Sequence, residues 1–285
     1  MQTKVPKSLL AVVAHPDDET FGMGGTLAHY AHEGVEVHLI CATRGEVGEV
    51  EPEKLVGFNS IGELRENELS CAAGVLGIRK VHFLDYRDSG MPGSPENDHP
   101  QSLVQAPVKK VAGKIAQLMR VIKPQVVLTF DPLGGYMHPD HIAIHQATVA
   151  AFEMAGDPKF NGSNLPAFSP QKLYYHIFPR GFLNLVVRLM PLFGKDPRKF
   201  GKNGDIDLTA ILETKFPTHA RINYKQVAGI RDEASACHAS QGGDKKSGYI
   251  VNWLLRHFSS TESFMRAVPL SVNGQIEKDF FADIH

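Results

Sequence analysis

Residues 8–19 are Ser8-Leu9-Leu10-Ala11-Val12-Val13-Ala14-His15-Pro16-Asp17-Asp18-Glu19, and the rest of the chain is interpreted from this segment. Residues 8–14 form a nearly continuous apolar run, which predicts a buried strand. A histidine and three acids directly after such a strand are costly to bury unless something, such as a divalent metal ion, offsets their charge. Because His and Asp are zinc ligands and catalytic zinc takes three protein ligands, a third ligand is expected elsewhere.

The overall composition limits the class of protein. The chain has 285 residues, of which 42% are hydrophobic, and a formal net charge of −1. We expect a single domain over 1–285, with a core in 1–180 and a C-terminal part, 181–285, that completes the fold and the pocket rim. The near-zero charge argues against a general nucleic-acid-binding protein. No apolar run approaches the ~18 residues that cross a bilayer, so no membrane span is predicted.

Cysteine usage and the first residues predict the compartment. Cys41, Cys71 and Cys237 are far apart and form no CxxC motif. Such an odd, sparse set indicates a reducing compartment and no disulfide framework. No secretory signal is visible, because the first apolar run is too short for a signal core. A cytoplasmic protein is therefore expected.

Strand-like and helix-like patterns alternate along the chain. Strands are predicted at 8–14, 35–42, 80–86, 125–130 and 172–178, and helices before His32 and at 61–76, 104–122 and 139–154. This alternation predicts an α/β fold with a doubly wound, mostly parallel sheet, Rossmann-like and with the core strand order 3-2-1-4-5. In such sheets ligands bind beyond the carboxyl ends of the strands, where the strand order reverses.

A second polar cluster, His138-Pro139-Asp140-His141, follows the fourth predicted strand. We call residues 15–19 the opening motif and residues 138–141 the second motif. Strands one and four are neighbours at the switch point, so the two motifs are expected to meet there. His15 and Asp18 with one histidine of the second motif make a set of two histidines and one carboxylate, which suits zinc and also iron(II).

The other polar groups of the two motifs match the needs of amide hydrolysis. Asp17 lies beside Asp18 and could take a proton from metal-activated water and later pass it to a leaving amine. The remaining histidine of the second motif could stabilise an oxyanion if Asp140 keeps it protonated. Metal-assisted amide hydrolysis is therefore the predicted chemistry.

Several features have simpler structural interpretations. The glycine run Gly22-x-Gly24-Gly25 lacks the third glycine of a dinucleotide motif, and we attribute it to tight packing. His145 is a candidate to support the site, whereas Asp131 could either touch the site or cap its loop. The apolar segment 182–193 predicts a packed lid or a contact in a homo-oligomer, and 221–239 predicts a helix.

The two motifs, in this order and at strand ends, resemble the LmbE/PIG-L family of zinc-dependent N-deacetylases, which remove acetyl from N-acetylglucosaminyl compounds. The resemblance covers roughly residues 8–150. It implies zinc bound by His15, Asp18 and His141, with Asp17 as the general base. It further implies oxyanion stabilisation by His138, with Asp140 oriented behind it.

The resemblance also implies residues around the substrate. Tyr136 matches a mobile active-site tyrosine of some family members, and Gln241 matches a rim residue in a His-x-Ser-Gln segment. Arg65 and Asp88 match residues that hold the sugar. The segment 155–220 matches no member, so the substrate within this class is left open.

Three functions follow as hypotheses. The first is a zinc-dependent deacetylase for a small N-acetylated sugar derivative, and iron(II) is an alternative metal. The second is an amidase that cleaves larger acyl or thiol-conjugate amides at the same site. The third is a non-catalytic sugar- or nucleotide-binding module, which is disfavoured because binding alone needs no spare acid such as Asp17.

Overall fold

One sheet forms the centre of the fold. The protein is seen here as a computed structural model that describes residues 6–162, 164–177, 180–199, 207–243, 260–271 and 274–284. Within these ranges seven strands follow the order β3-β2-β1-β4-β5-β7-β6. Their bounds are β1 Ser8–Val13, β2 Glu36–Cys41, β3 Lys80–Phe83, β4 Val126–Phe130, β5 Lys172–Ile177, β6 Ala220–Asn223 and β7 Thr261–Val268.

The first five strands are parallel and confirm the predicted order 3-2-1-4-5. β1 pairs with β2 on one side and with β4 on the other. β3 then pairs with β2, and β5 pairs with β4. All six residues of β1 are buried, as expected for a central parallel strand covered on both faces. The switch point therefore lies between β1 and β4.

Helices connect and cover these strands. Their bounds are α1 Asp18–His32, α2 Ile61–Leu76, α3 Val108–Ile122, α4 Gly134–Met137, α5 Pro139–Gly156, α6 Arg180–Leu189, α7 Leu208–Glu213 and α8 Ala228–Cys237. Local sequence explains the ends of α2, because the Ser60 hydroxyl accepts a hydrogen bond from the Glu63 amide and Gly77 ends the helix with φ 77°. The helix predicted over 104–122 begins later, at α3.

The C-terminal third departs from the prediction. The helix predicted over 221–239 is wrong in its first part, because β6 occupies Ala220–Asn223 and α8 begins only at Ala228. β6 pairs antiparallel with β7, which pairs antiparallel with β5. Buried and exposed residues alternate in β6, but a two-residue period over four residues is too short to stand out beside a helical pattern.

Helix α1 is kinked, and a residue of β7 satisfies the freed backbone groups. Met23 has non-helical angles, and the amides of Gly25 and Thr26 donate to the Glu262 carboxylate at 3.0 and 2.8 Å. Gly25 also lies against Tyr224, whose ring a Cβ at this position would overlap. The glycine run therefore serves close packing, as predicted, and it lies against a residue of the C-terminal third.

A disulfide joins α2 to the end of α8. Cys71 and Cys237 are bonded although 166 positions separate them, and Cys41 is free and buried. The prediction of no disulfide is therefore wrong. Sequence spacing did not reveal the pair because α2 and α8 become neighbours only in the folded chain. The cysteine pattern no longer supports a reducing compartment, and a cytoplasmic location stays a prediction.

The apolar segment predicted at 182–193 lies in α6 and the 3-10 turn Met190–Phe193. Leu192 and Phe193 are 77% and 76% exposed, whereas Met190 is buried. Whether this segment contacts a second copy of the chain stays a prediction. Among the helices described, none has the length and apolar character needed to cross a membrane.

Candidate active site

The two motifs meet at the switch point, as predicted. His15 lies two residues after the end of β1, while His138 and His141 lie at the start of α5, after β4. All three imidazoles are buried, and His15 Nδ1 lies 3.3 Å from His141 Nε2. Residues 126 positions apart are thus brought into contact, because β1 and β4 are adjacent parallel strands whose carboxyl ends share one edge.

Asp18 completes a triangle of donor atoms with His15 and His141. Its Oδ2 lies 3.4 Å from His15 Nδ1, and its Oδ1 lies 3.1 Å from His141 Nε2. Ligands that are ~2.0–2.1 Å from a tetrahedral metal ion lie ~3.3 Å from one another, so this spacing fits a divalent cation. His138 also has a ring nitrogen within 4.8 Å of those of His15 and His141.

Hydrogen bonds orient the imidazoles of His15 and His141 for metal binding. His141 Nδ1 donates to the Gly134 carbonyl at 3.1 Å, which leaves the Nε2 lone pair facing Asp18. His15 Nε2 donates to Asp140 Oδ2 at 3.1 Å, which leaves Nδ1 facing the same point. Such outer partners hold metal-binding histidines in the required tautomer. The donor set and its orientation therefore suit a metal centre.

The electrostatics of this cluster favour charged carboxylates. Burial would raise the pKa of Asp18, but His141 and His15 hold that pKa well below its usual value. Burial would lower the pKa of His15, but Asp88, Asp140 and Asp18 hold it well above the usual value. The site thus gathers carboxylates whose negative charge a bound cation would balance.

Asp17 is paired with Arg65, which donates to Asp17 Oδ2 at 3.2 Å. Its backbone has φ 110°, in the left-handed region that favours glycine. Burial raises the pKa of Asp17 to about 6, although the nearby Arg65 opposes the shift. A carboxylate with a pKa near the working pH is suited to proton transfer.

Arg65 and Asp88 both lie at the site, but each contacts protein groups of the motifs. Arg65 is buried and donates to the Gly45 carbonyl at 3.0 Å, the Pro16 carbonyl at 2.5 Å and Asp17 Oδ2 at 3.2 Å. Asp88 Oδ1 accepts the Gly90 amide and lies 3.4 Å from His15 Nε2. These contacts brace the opening motif, and a role in holding a sugar stays a prediction.

The expectation that the Asp140 carboxylate keeps His138 protonated is wrong. The Asp140 carboxylate contacts His15 and accepts the Ser89 amide at 2.9 Å, so it does not hold a proton on His138. Instead the Asp140 amide donates to His138 Nδ1 at 3.2 Å. Burial, together with His15 and His141, holds the pKa of His138 well below its usual value. His138 is therefore neutral, with the proton on Nε2 available for donation.

Tyr136 lies beside the histidines of the second motif, whereas Gln241 contacts Ser240 of the C-terminal third. The Tyr136 ring centroid lies 5.0 Å from that of His141 and 5.9 Å from that of His138, and burial raises the pKa of its hydroxyl. Tyr136 is thus a neutral donor beside the second motif. Gln241 Nε2 donates to Ser240 Oγ at 3.1 Å, and no hydrogen bond among the described residues joins it to either motif.

Local contacts show the roles of Asp131 and His145, which the sequence leaves open. Asp131 Oδ1 accepts the amides of Leu133 and Gly135 at 2.8 and 3.2 Å, so it caps the loop that leads to the second motif. His145 Nδ1 contacts the Phe130 carbonyl at 2.8 Å. His145 therefore supports the end of β4, whose Phe130 ring stacks on the His141 ring with centroids 4.0 Å apart.

Sequence reasoning missed two residues of the C-terminal third, one that contacts the opening motif and one that contacts α2. His238 Nε2 lies 2.7 Å from Glu19 Oε1, and both side chains are fully buried. The amide and hydroxyl of Ser240 both donate to Glu68 of α2 at 2.7 Å. Both residues lie in the His-x-Ser-Gln segment, of which the family resemblance indicates only Gln241.

Comparisons with known proteins agree with this arrangement. The family described as "PIG-L: GlcNAc-PI de-N-acetylase" matches residues 10–152. The 1D-myo-inositol 2-acetamido-2-deoxy-alpha-D-glucopyranoside deacetylase of Thermobifida fusca is 44% identical over 193 residues, which are 65% of this chain and 66% of that protein. The match thus spans slightly less than two thirds of that relative. The protein of the same name from Rhodococcus erythropolis is 33% identical over 299 residues, covering 99% of both chains.

Solved structures share the fold. The N,N'-diacetylchitobiose deacetylase of Pyrococcus horikoshii has a TM-score of 0.60 at 21% identity, covering 92% of this chain and 84% of that one. The 4-carboxy-2-hydroxymuconate hydratase of Pseudomonas putida has a TM-score of 0.58 at 20% identity, covering 93% and 98%. Because a hydratase shares the fold, these likenesses concern architecture alone. The family match and the full-length relative show that this chain belongs to the PIG-L (GlcNAc-PI de-N-acetylase) family.

Proposed function

We propose that this protein is a metal-dependent hydrolase that removes the N-acetyl group from a small N-acetylglucosamine derivative. The observation that carries this proposal is the arrangement of neighbouring acids: Asp18 faces His15 and His141, while Asp17 is held apart by Arg65. A binding site would need no such spare carboxylate. The relatives' names favour N-acetylglucosamine linked to myo-inositol as the substrate.

The residues that would hold the metal are His15 through Nδ1, Asp18 through its carboxylate and His141 through Nε2. Zinc suits this set of ligands, and so does iron(II). When bound, the ion would supply a Lewis acid that polarises the amide carbonyl and makes water more acidic.

Asp17 would move the proton in this reaction. As a carboxylate it accepts a proton from the attacking water, and as a carboxylic acid it then donates that proton to the departing amine nitrogen. Its pKa of about 6 lets the group exist in both forms near neutral pH. Arg65 contacts Asp17 Oδ2 and limits the rise of this pKa, so the base form is retained.

His138 and Tyr136 would donate hydrogen bonds to the negative oxygen that develops on the carbonyl. Neutral His138 offers Nε2–H because its Nδ1 accepts the Asp140 amide. A neutral imidazole can polarise a carbonyl in this way when its surroundings hold its pKa down. Arg65, Asp88 and Gln241 are the proposed sugar-side residues, carried over from the family resemblance.

Acetate release from purified protein tests the proposal. The protein is stripped with a chelator, reloaded with zinc or iron(II), and given acetylglucosaminyl inositol, free N-acetylglucosamine or glucosamine amides of longer acyl groups. We expect metal-dependent acetate release, reduced ~10²–10⁴-fold by Asp17→Asn. His138→Ala should lower turnover ~10²–10³-fold by removing an oxyanion donor.

The control is Asp283→Asn, which alters an exposed aspartate with φ 60° that asparagine tolerates well. Near-normal turnover by Asp17→Asn would refute its role as the base. Faster release of longer acyl groups would favour the amidase alternative. Substrate binding without turnover, indifferent to chelator and metal, would favour the non-catalytic alternative.

A further inference from the structure

The backbone of Asp17 has an unfavourable conformation that neighbouring groups must maintain. Its φ of 110° is unfavourable for a residue with a side chain, and such angles persist only where neighbouring groups enforce them. Arg65 contacts the Asp17 carboxylate and the Pro16 carbonyl, and the Asp17 carbonyl accepts the amides of Thr20 and Phe21. The Asp17 amide donates to Glu19 Oε2 at 2.9 Å, which restrains the backbone directly.

Glu19 is in turn held by a residue from the far end of the chain. Its Oε1 lies 2.7 Å from His238 Nε2 and accepts the Thr20 hydroxyl at 2.5 Å. Glu19 and His238 are both 0% exposed. A buried carboxylate is stable only when charge and hydrogen bonds satisfy it, and losing one partner leaves the other uncompensated. His238 is therefore the partner that satisfies the buried Glu19 carboxylate, which in turn accepts the Asp17 amide.

The position of His238 is itself well fixed. The amides of Gln241 and Gly243 donate to the His238 carbonyl at 3.1 and 3.0 Å. Two residues along, Ser240 is bound by Glu68 of α2, the helix that also carries Arg65. These contacts hold the backbone that carries the His238 side chain.

From these contacts we infer that Glu19 and His238 are positioning residues that fix the backbone of Asp17 and thereby the direction of its carboxylate. This inference rests on the proposed function, in which Asp17 is the base. Neither residue has to touch the substrate or the metal ligands' donor atoms. The C-terminal third thus takes part in catalysis through the opening motif.

The first test compares His238→Leu with His238→Gln. Leucine removes the hydrogen-bond donor, whereas the glutamine amide keeps an N–H at similar reach from the backbone. We expect His238→Leu to lower kcat roughly 10- to 100-fold, the scale for a misplaced catalytic group, with little change in KM. His238→Gln should recover most of this loss. The matched control is His32→Leu, which alters an exposed histidine at the end of α1.

A double-mutant cycle with Asp17→Asn separates positioning from general damage. If His238 acts through Asp17, adding His238→Leu to Asp17→Asn lowers kcat no further. Multiplying losses would overturn the inference, as would equal losses in the leucine and glutamine variants or a His238→Leu enzyme within twofold of wild type. Should the leucine variant not fold, Glu19→Ala and Glu19→Gln provide the same pair of comparisons.

Hydrogen exchange gives a readout independent of deacetylation. We expect the Asp17 amide to exchange at least tenfold faster in His238→Leu than in wild type or His238→Gln, because its acceptor Glu19 is no longer held. Unchanged exchange would overturn the inference even in an active enzyme. Faster exchange in a protein without deacetylase activity would instead support the positioning contact and refute the proposed function.

Discussion

Loss of the Cys71–Cys237 disulfide should destabilise the fold measurably. The bond closes a loop between residues 166 positions apart, for which the chain-entropy relation gives about 5 kcal/mol of stabilisation at 25 °C. Removal of native disulfides from small domains costs roughly 2–5 kcal/mol, so we expect a loss in this range for the Cys71→Ser/Cys237→Ser double variant. The other contacts of the segment, including His238 with Glu19, remain and keep the fold the same.

Urea denaturation followed by circular dichroism measures this loss. Cys71 is exposed, so dithiothreitol should reach the bond and bring wild type to the stability of the double variant, which itself should not respond. Thiol counting under non-reducing denaturation should find one free thiol, that of Cys41. Three free thiols in freshly purified protein, or a double variant as stable as untreated wild type, would refute the reasoning.

Three further predictions concern groups around the site and the kink in α1. Asp140→Asn should weaken zinc binding ~10- to 100-fold, because it removes the carboxylate that orients His15; competition with a chromophoric chelator measures this, and unchanged affinity would contradict it. Arg65→Met should shift the acidic limb of kcat/KM to higher pH, because Arg65 lowers the pKa of Asp17; an unmoved limb would show that Asp17 does not govern it. Burial raises the pKa of Glu262 to about 7 from an ordinary value near 4.5, so the folded state binds the proton more tightly. Stability should therefore fall as pH rises between these values, and Glu262→Gln should flatten that dependence in urea titrations; a dependence as steep as that of wild type would count against this explanation.

Several elements of the fold and site could be predicted because their signals are local. Residues 8–14 are apolar enough to define a central strand, and the alternation of strands with helices implies parallel neighbours. Once β1 and β4 are adjacent, the polar residues at their carboxyl ends must share one edge of the sheet. The contact between His15 and His141 follows from that placement.

Other features depend on contacts between segments that sequence patterns do not connect. The resemblance places Asp140 behind His138, yet the turn into α5 directs its carboxylate to His15. The strand β6 is too short to show its two-residue period, and its antiparallel pairing with β7 depends on a distant partner. The disulfide and the approach of His238 to Glu19 both follow from the packing of α8 near α1 and α2.

Hydrophobic periodicity and the two motifs are properties of short segments, so the order of the parallel strands and the candidate donors could be predicted from the chain alone. How those donors are held depends on folding. The partners of Asp17, Glu19 and His15 come from strands and helices brought together by folding, and the hydrogen bonds that direct a carboxylate are set by distances of a few ångströms that no spacing along the chain encodes.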